Sequence, residues 1–343
     1  FVWNGREFDE KRAEARRAMI RTAEATLSCK FDGEPLIVGT SGRYEFRNKG
    51  IDIFLDALKQ LAETDALDRE VLVYITVPSA TTGPRKDLQA HLADENSPID
   101  PKQNRFCTHY LEHPEWDQIL NSIAGSVLAN PSSKVKVVFV PTYLNGRDGI
   151  FDKSYYELLV GMDMTLFPSY YEPWGYTPLE STAFSVPTLT TTLAGFGLWA
   201  GSQGEHEGVT LVARNDDNYA EAAREIAKAL LHFTKYTPQE VEIARNAAAE
   251  LSRTALWSEL YAAYEKAYSE AIERSVTRTN RAVLNDGGGA TEQINFVRQQ
   301  LITEKPHWNR VMVEKVLPKR LHALEVLSHN LWWSWTSGAR DLF

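Results

Sequence analysis

Cysteine is scarce in this sequence: 343 residues hold only Cys29 and Cys107. Two distant cysteines exclude a disulfide framework and a cysteine metal site. They fit a reducing compartment and are expected to be buried structural thiols. Long apolar runs are also missing; none approaches the roughly 20 residues of a membrane span. Nor is there an excess of positive charge. The 46 Asp and Glu outnumber 37 Lys and Arg for a net −9, which disfavours a nucleic-acid surface. The opening FVWNGREFDEKRAEARR lacks both the charged-then-apolar pattern of a signal peptide and a starting methionine. The chain is therefore expected to be cytoplasmic and to begin inside a longer protein.

What is present is a regular alternation. Short apolar runs read as strands: PLIVGT (35–40), REVLVYITV (69–77), VKVVFV (135–140), DMTLFPS, PTLTTT and GVTLVAR (208–214). Between them lie helical periodicities. IDIFLDALKQLAE places Ile51, Phe54, Leu55, Leu58 and Leu61 on one face, and PEWDQILNSIAGSVLAN (114–130) does the same with Trp116, Ile119, Leu120, Ile123 and Val127. Residues 9 to 28, KSYYELLVGM (153–162) and TPLESTAFSV (177–186) also read as helices, as do 217–235, 237–252 and 255–276. The polar stretch 78–110 reads as a long insertion or partly mobile loop. This order predicts an α/β fold, a doubly wound, Rossmann-like parallel sheet with C-terminal helices over residues 1–276. Ligands of such sheets bind beyond the carboxyl ends of the strands. Residues 277–305, with three glycines at 287–289, read as a linker. Apolar character returns over 306–343, as at the start of another domain.

Two motifs sit just after strands. GTSGRYEFRNKGIDIFLDAL (39–58) carries Arg43, Arg47 and Lys49 through a glycine turn into a helix. Arg43 and Lys49 can converge on one phosphate, the first as a planar fork and the second as a point charge; Arg47 reads as structural or solvent-facing. Solvated loop charges are the plainer alternative. The second motif is FPSYYEPWGYTPLESTAFSVPTLTT (167–191). Thr177, Pro178 and Glu180 fit a capping box, with Thr177 as N-cap. Glu172 has no such explanation, lying in an aromatic loop beside Gly175. Helix N–H groups suit an anion, and carboxylates on either side suit sugar hydroxyls. A nucleotide sugar combines both, and the two cations would then offset its diphosphate.

GRYEFRNKGIDIF together with FPSYYEPWGYTPLE, and THYLEHPEWDQILNSIAGSVLANPSSKVKVVFVPTYL (108–144), closely resembles glycogen synthases of the animal and fungal type. These are retaining glycosyltransferases with two facing Rossmann-like domains, the GT-B fold. The likeness spans roughly residues 1–276 and implies the carboxyl-terminal, donor-binding half, the amino-terminal half being absent from this chain. It implies glucose transfer from UDP-glucose to an α-1,4-glucan without metal or other cofactor. Arg43 and Lys49 would hold the pyrophosphate, and Glu172 the transferred glucose. The backbone at Trp174, Gly175 and Tyr176 would line glucose and phosphate, Thr177 would contact phosphate, and Glu180 would bind the ribose. Tyr143 and Tyr155 match positions that sandwich the base, although tyrosines near strand ends are more often core or rim residues. The stretch LSRTALWSELYAAYEKAYSEAIERSVTRTN, with only Arg253, Arg274 and Arg278, departs from the arginine-rich regulatory helix of that family. The tail LPKRLHALEVLSHNLWWSWTSGARDLF resembles the opening of bacterial α-glucan phosphorylases and implies a fusion. Trp332, Trp333 and Trp335 there invite association, so a homo-oligomer stays open. Two further readings stay open as well: an ADP-glucose-dependent relative, and a nucleotide-sugar binding module, inactive alone, that regulates a fused phosphorylase.

Overall fold

The computed structural model describes residues 5–204 and 206–285. The expected linker beyond 285 and the phosphorylase-like stretch 306–343 lie outside the described residues. The chain divides into two units, one ending at Leu256 and the other starting at Trp257. The second is described here by one helix, α10 (Trp257–Asn285), which continues past the point where a linker was expected to begin.

Six parallel strands form the first unit's sheet: β1 (Leu36–Ser41), β2 (Val71–Thr76), β5 (Val135–Val140), β6 (Met164–Phe167), β7 (Thr188–Thr191) and β8 (Val209–Val212). Their order across the sheet is β5-β2-β1-β6-β7-β8. The pairing is in register along Leu36–Ser41 against Val71–Thr76, and Val71–Thr76 against Val135–Val140. These runs are apolar on both faces because both faces are covered. Val71, Val73 and Ile75 pack into the core under α2 (Ile51–Ala62), α4 (Gln118–Ala124) and α8 (Tyr219–Thr234). Leu72 and Tyr74, one residue out of phase, pack on the opposite side with Met19 and Ala23 of α1 (Arg6–Leu27) and with α5 (Tyr155–Leu159). The buried Tyr74 hydroxyl donates to the Met19 carbonyl at 2.6 Å, as a buried phenol requires.

The segment 78–110 is not the loop expected. It holds β3 (Thr81–Pro84), α3 (Lys86–Ala93) and β4 (His109–Leu111). Its anchor is Arg85, only 1% exposed, whose guanidinium reaches the Asn104 and Cys107 carbonyls and pairs with Asp87 at 2.6 Å. Residues 106–108 then bond Phe139, with Phe139 N–H to the Phe106 carbonyl at 2.7 Å, which covers the open edge of β5. Cys107 is buried here as expected, and burial pushes its thiol up to about 12. Cys29 is only half-buried, because it follows α1 past the left-handed Ser28 at the helix end.

The helix expected over 114–130 is instead a 3₁₀ turn, then α4, then a second 3₁₀ turn. The Asp117 side chain accepts from Leu120 N–H and restarts the helix, and Ser126 does the same for Leu128 after Gly125 ends it. Two further helices, α7 (Gly195–Ser202) and α9 (Pro238–Arg253), flank α6 (Tyr176–Ala183). Arg245 of α9 is 9% exposed and its Nη2 has no hydrogen-bond partner. Burial, with Arg12 nearby, lowers its pKa to about 9. Arg245→Met is expected to stabilise the domain by about 1–2 kcal/mol, because an apolar side chain leaves no buried donor unpaired. A thermal melt that falls by several degrees would show that the guanidinium is doing something the static packing does not reveal.

Candidate functional site

The sheet order reverses between β1 and β6. From β1 the chain winds one way through β2 to β5, then returns to β6 on the other side of β1. The loops after β1 (residues 42–50) and β6 (168–175) flank this point at the carboxyl end of the sheet, where sheets of this type bind their ligands. The two sequence motifs occupy these two loops.

The loops are knitted together at their base. Gly50 caps α2 with φ +69°, and a Cβ placed on it would lie 2.0 Å from the Pro168 carbonyl; only glycine admits this approach. Tyr170 N–H donates to the Asn48 carbonyl at 2.8 Å. Above this contact Lys49 pairs with Glu172, both side chains about one-fifth exposed. The sequence-predicted cation and carboxylate therefore meet across the switch point. Arg43 does not join them: its side chain is 77% exposed and pairs with Glu45 at 3.0 Å. Arg47 lies in solvent, 3.9 Å from Asp52.

The Glu172 loop rests on the chain entering α7. Glu172 N–H donates to the Leu193 carbonyl, Gly195 N–H to the Glu172 carbonyl at 3.0 Å, and Phe196 N–H to the Trp174 carbonyl at 2.6 Å. The Trp174 ring packs against Phe196 and Trp199 at 6.1 and 5.8 Å between centroids, so its side chain anchors the loop. Gly175, buried at φ +108°, is the N-cap of α6. This corrects the capping box expected of Thr177 and Glu180. The helix starts at Tyr176, one residue before Thr177, and no side chain caps it. A helix start without such a cap keeps first-turn N–H groups open, with Thr177 half-buried and Tyr176 two-thirds exposed beside them.

Glu180, released from the capping role, accepts from the Tyr156 hydroxyl at 3.0 Å. Burial raises its pKa, and the tyrosine bond opposes that rise. Tyr156 lies flat on Phe184, 4.9 Å between centroids at 13°. The neighbouring Tyr155, expected from the sequence to face a nucleotide base, accepts through its hydroxyl from Ser41 Oγ at the end of β1 at 2.8 Å. In a tyrosine doublet only the turn of α5 decides which ring meets Glu180, and a five-residue helix shows no periodicity to read. Tyr143, in the loop after β5, is 74% exposed. Arg214, missed altogether, donates to the Pro168 carbonyl from beneath the β6 loop; nothing in GVTLVAR distinguishes it from a solvated strand-end charge. Among the described residues no group of three or more His, Cys, Asp and Glu could hold a metal ion, and no helix is long and apolar enough to cross a membrane.

Tyr156→Phe removes the one side-chain hydrogen bond that Glu180 makes among the described residues, while keeping the ring stack. It is expected to weaken binding of a ribose-bearing ligand about three- to tenfold, the loss of one net hydrogen bond. Calorimetry with a nucleoside diphosphate checks this, and equal affinities would rule out an orienting role for the phenol.

The fold defines an α/β domain of the Rossmann-like class, a class whose ligands bind at the switch point. The chain belongs to the glycogen synthase family, whose family model, described as Glycogen synthase, matches residues 86–322. Glu172, Glu180, Tyr143 and Tyr155 fall inside that match, whereas Arg43 and Lys49 precede it. The chain is 28% identical over 305 residues to the Glycogen [starch] synthase of Neurospora crassa, covering 71% of this chain and 43% of that one. It is 28% identical over 292 residues to the Caenorhabditis elegans enzyme of the same name (68% and 43%). The Homo sapiens liver Glycogen [starch] synthase gives 28% over 296 residues (70% and 42%). The chain thus spans less than half the length of the curated relatives it matches. A solved glycosyltransferase from Rickettsia africae ESF-5 superposes at TM-score 0.41 with 15% identity, covering 70% of this chain and 48% of that one, a likeness too coarse to bear on the site.

Proposed function

We propose that this chain is the donor-binding half of a glycogen synthase, which transfers glucose from UDP-glucose to the non-reducing end of an α-1,4-glucan with retention. The observation that carries this reading is the Lys49–Glu172 pair, set across the switch point and beside the open start of α6. A diphosphate seated over that helix start displaces Glu172 from Lys49, and Lys49 turns to the phosphate. Arg43, on an exposed stem, leaves Glu45 and joins it. Glu172 then accepts from hydroxyls of the transferred glucose, and Glu180, held by Tyr156, accepts from the ribose. Tyr143 and Tyr155 flank the base.

In the transfer an acceptor hydroxyl forms the new bond to the anomeric carbon as the bond to the diphosphate breaks. The electron pair leaves with the diphosphate, and the hydroxyl proton passes to its departing oxygen. Attack comes from the face the leaving group vacates, which accounts for retention without a covalent sugar. Lys49, Arg43 and the α6 amides stabilise the charge that develops on the leaving group. The two carboxylates both lie on the donor side, so they do not form a glycosidase pair, which needs an acid and a nucleophile astride one bond.

Calorimetry of this chain with UDP, UDP-glucose, ADP and ADP-glucose tests the donor. Tighter binding of the UDP pair supports the reading, and preference for the ADP pair would reassign the donor. Transfer of labelled glucose into glycogen by the full-length protein tests the enzyme. Binding without transfer there would instead support a nucleotide-sugar binding module.

A further inference from the structure

We infer that Arg214 is a positioning residue for the Lys49–Glu172 pair: its buried guanidinium fixes the Pro168 carbonyl against Gly50 and so sets the spacing of the two loops that carry them. The inference rests on the reading of this switch point as the donor site.

Arg214 follows β8 and is 5% exposed. Such a side chain is rarely buried without a carboxylate partner, yet among the described residues no carboxylate lies within ion-pair distance of it. Its hydrogen bond goes to the Pro168 carbonyl. Its two flanks are aromatic, with Tyr170 at 5.1 Å and Tyr219 at 5.9 Å from the guanidinium carbon. Burial lowers its pKa, and Asp52 opposes that only through space.

The placement of these partners is what assigns the role. The Pro168 carbonyl is the group that leaves no room for a Cβ on Gly50, and Lys49 immediately precedes Gly50. Tyr170, on which the guanidinium lies, is two residues before Glu172 and donates both to the Asn48 carbonyl through its N–H and to Asp216 through its hydroxyl. The backbone N–H of Arg214 donates to Thr192 Oγ1 at 3.0 Å, so the guanidinium's own root is fixed to the turn after β7. One planar cation therefore presses the β6 loop onto the β1 loop at a single carbonyl. A flat fork between two rings holds that geometry in a way a lysine ammonium does not.

A double-mutant cycle separates positioning from general support. In the full chain Arg214→Gln is expected to weaken UDP-glucose binding about tenfold, and Arg214→Lys by an intermediate factor. In a Lys49→Ala/Glu172→Gln background Arg214→Gln is expected to cost less than about twofold more, because the pair it aligns is gone. An equal factor in both backgrounds, or an unchanged affinity in the first, overturns the inference. A second readout needs no ligand: amide exchange at Gly195 and Phe196, bonded to the Glu172 and Trp174 carbonyls, should accelerate in Arg214→Lys while Val73 and Ile75 of β2 keep their protection. Exchange that is unchanged at Gly195 and Phe196, or raised equally in β2, rejects positioning. Failure of the wild-type chain to bind UDP-glucose would sink the donor-site reading, and the exchange arm would still decide what Arg214 does to the loops.

Discussion

Glu172→Gln is expected to bind UDP more tightly than the wild-type chain and to lose its preference for UDP-glucose over UDP. The two halves of that result have one cause. Without ligand, Glu172 neutralises Lys49, so an incoming diphosphate must break the pair before it gains the lysine. A neutral glutamine competes far less well for the ammonium, and the gain for UDP is about two- to fivefold, the size of a partly exposed ion pair. The same amide is a poorer acceptor for sugar hydroxyls than a carboxylate, because charge-assisted bonds are about twice as strong. The glucose moiety then adds little affinity. Lys49→Ala should do the opposite: UDP and UDP-glucose both weaken about 30- to 100-fold, since the phosphate loses its cation and meets an unpaired carboxylate. Titration calorimetry of both variants against both ligands gives four affinities, and their pattern is specific. Parallel losses in Glu172→Gln and Lys49→Ala would show that the pair only holds the loops together.

The parts of the fold that could be read in the sequence are those where burial on both faces forces an apolar run. LIVGT, VLVYIT and VKVVFV are such runs, and each is a central or covered strand. The segment 78–110 was not legible. Its strand β3 contains Gly83 and Pro84, and its anchor is a buried arginine, a residue type whose ordinary place is the surface. The site shows the same division. Lys49 and Glu172 stood out because charges directly after strands of a doubly wound sheet face the ligand crevice. Glu180 carried a false explanation: Thr177-Pro178-Leu179-Glu180 has capping-box spacing, yet Gly175 begins the helix two residues earlier with a positive φ that no local pattern announces. Tyr156 and Arg214 act through contacts with residues 24 and 46 positions away, and nothing local encodes such pairs.

The largest stability effect is expected far from that site, at Asp163. This residue sits just before β6, at the end of the sheet opposite the ligand loops. It is 6% exposed and takes Arg12 on one oxygen, with Arg16 Nη1 and Ile37 N–H on the other at 2.8 Å each. Burial alone would raise the pKa of its carboxyl; Arg16, Arg12 and the Ile37 amide outweigh that and hold it below the ordinary carboxylate range. Removing it leaves Arg12 with only the Val160 and Met162 carbonyls among the described residues and Arg16 with Glu34, a partly solvated partner, beside a third arginine, Arg245. Asp163→Ala should therefore cost about 3–5 kcal/mol, as for a broken buried pair, and lower Tm by about 10 °C or more for a domain of this size. The sign of the pH dependence follows from the depressed pKa. The carboxylate's contribution is complete above its unfolded pKa of about 4 and is lost as pH falls through the lower folded value. The stability gap between wild type and Asp163→Asn should hence be level above about pH 5 and close in more acid solution. Urea unfolding at several pH values measures that gap, and a gap that persists undiminished into acid would mean that charge is not what Asp163 contributes. UDP affinity below the melting range should be unaltered in Asp163→Asn. The ion cluster ties α1 to the start of β6, whereas the Lys49–Glu172 pair lies beyond its carboxyl end, so one strand carries stability at one end and ligand chemistry at the other.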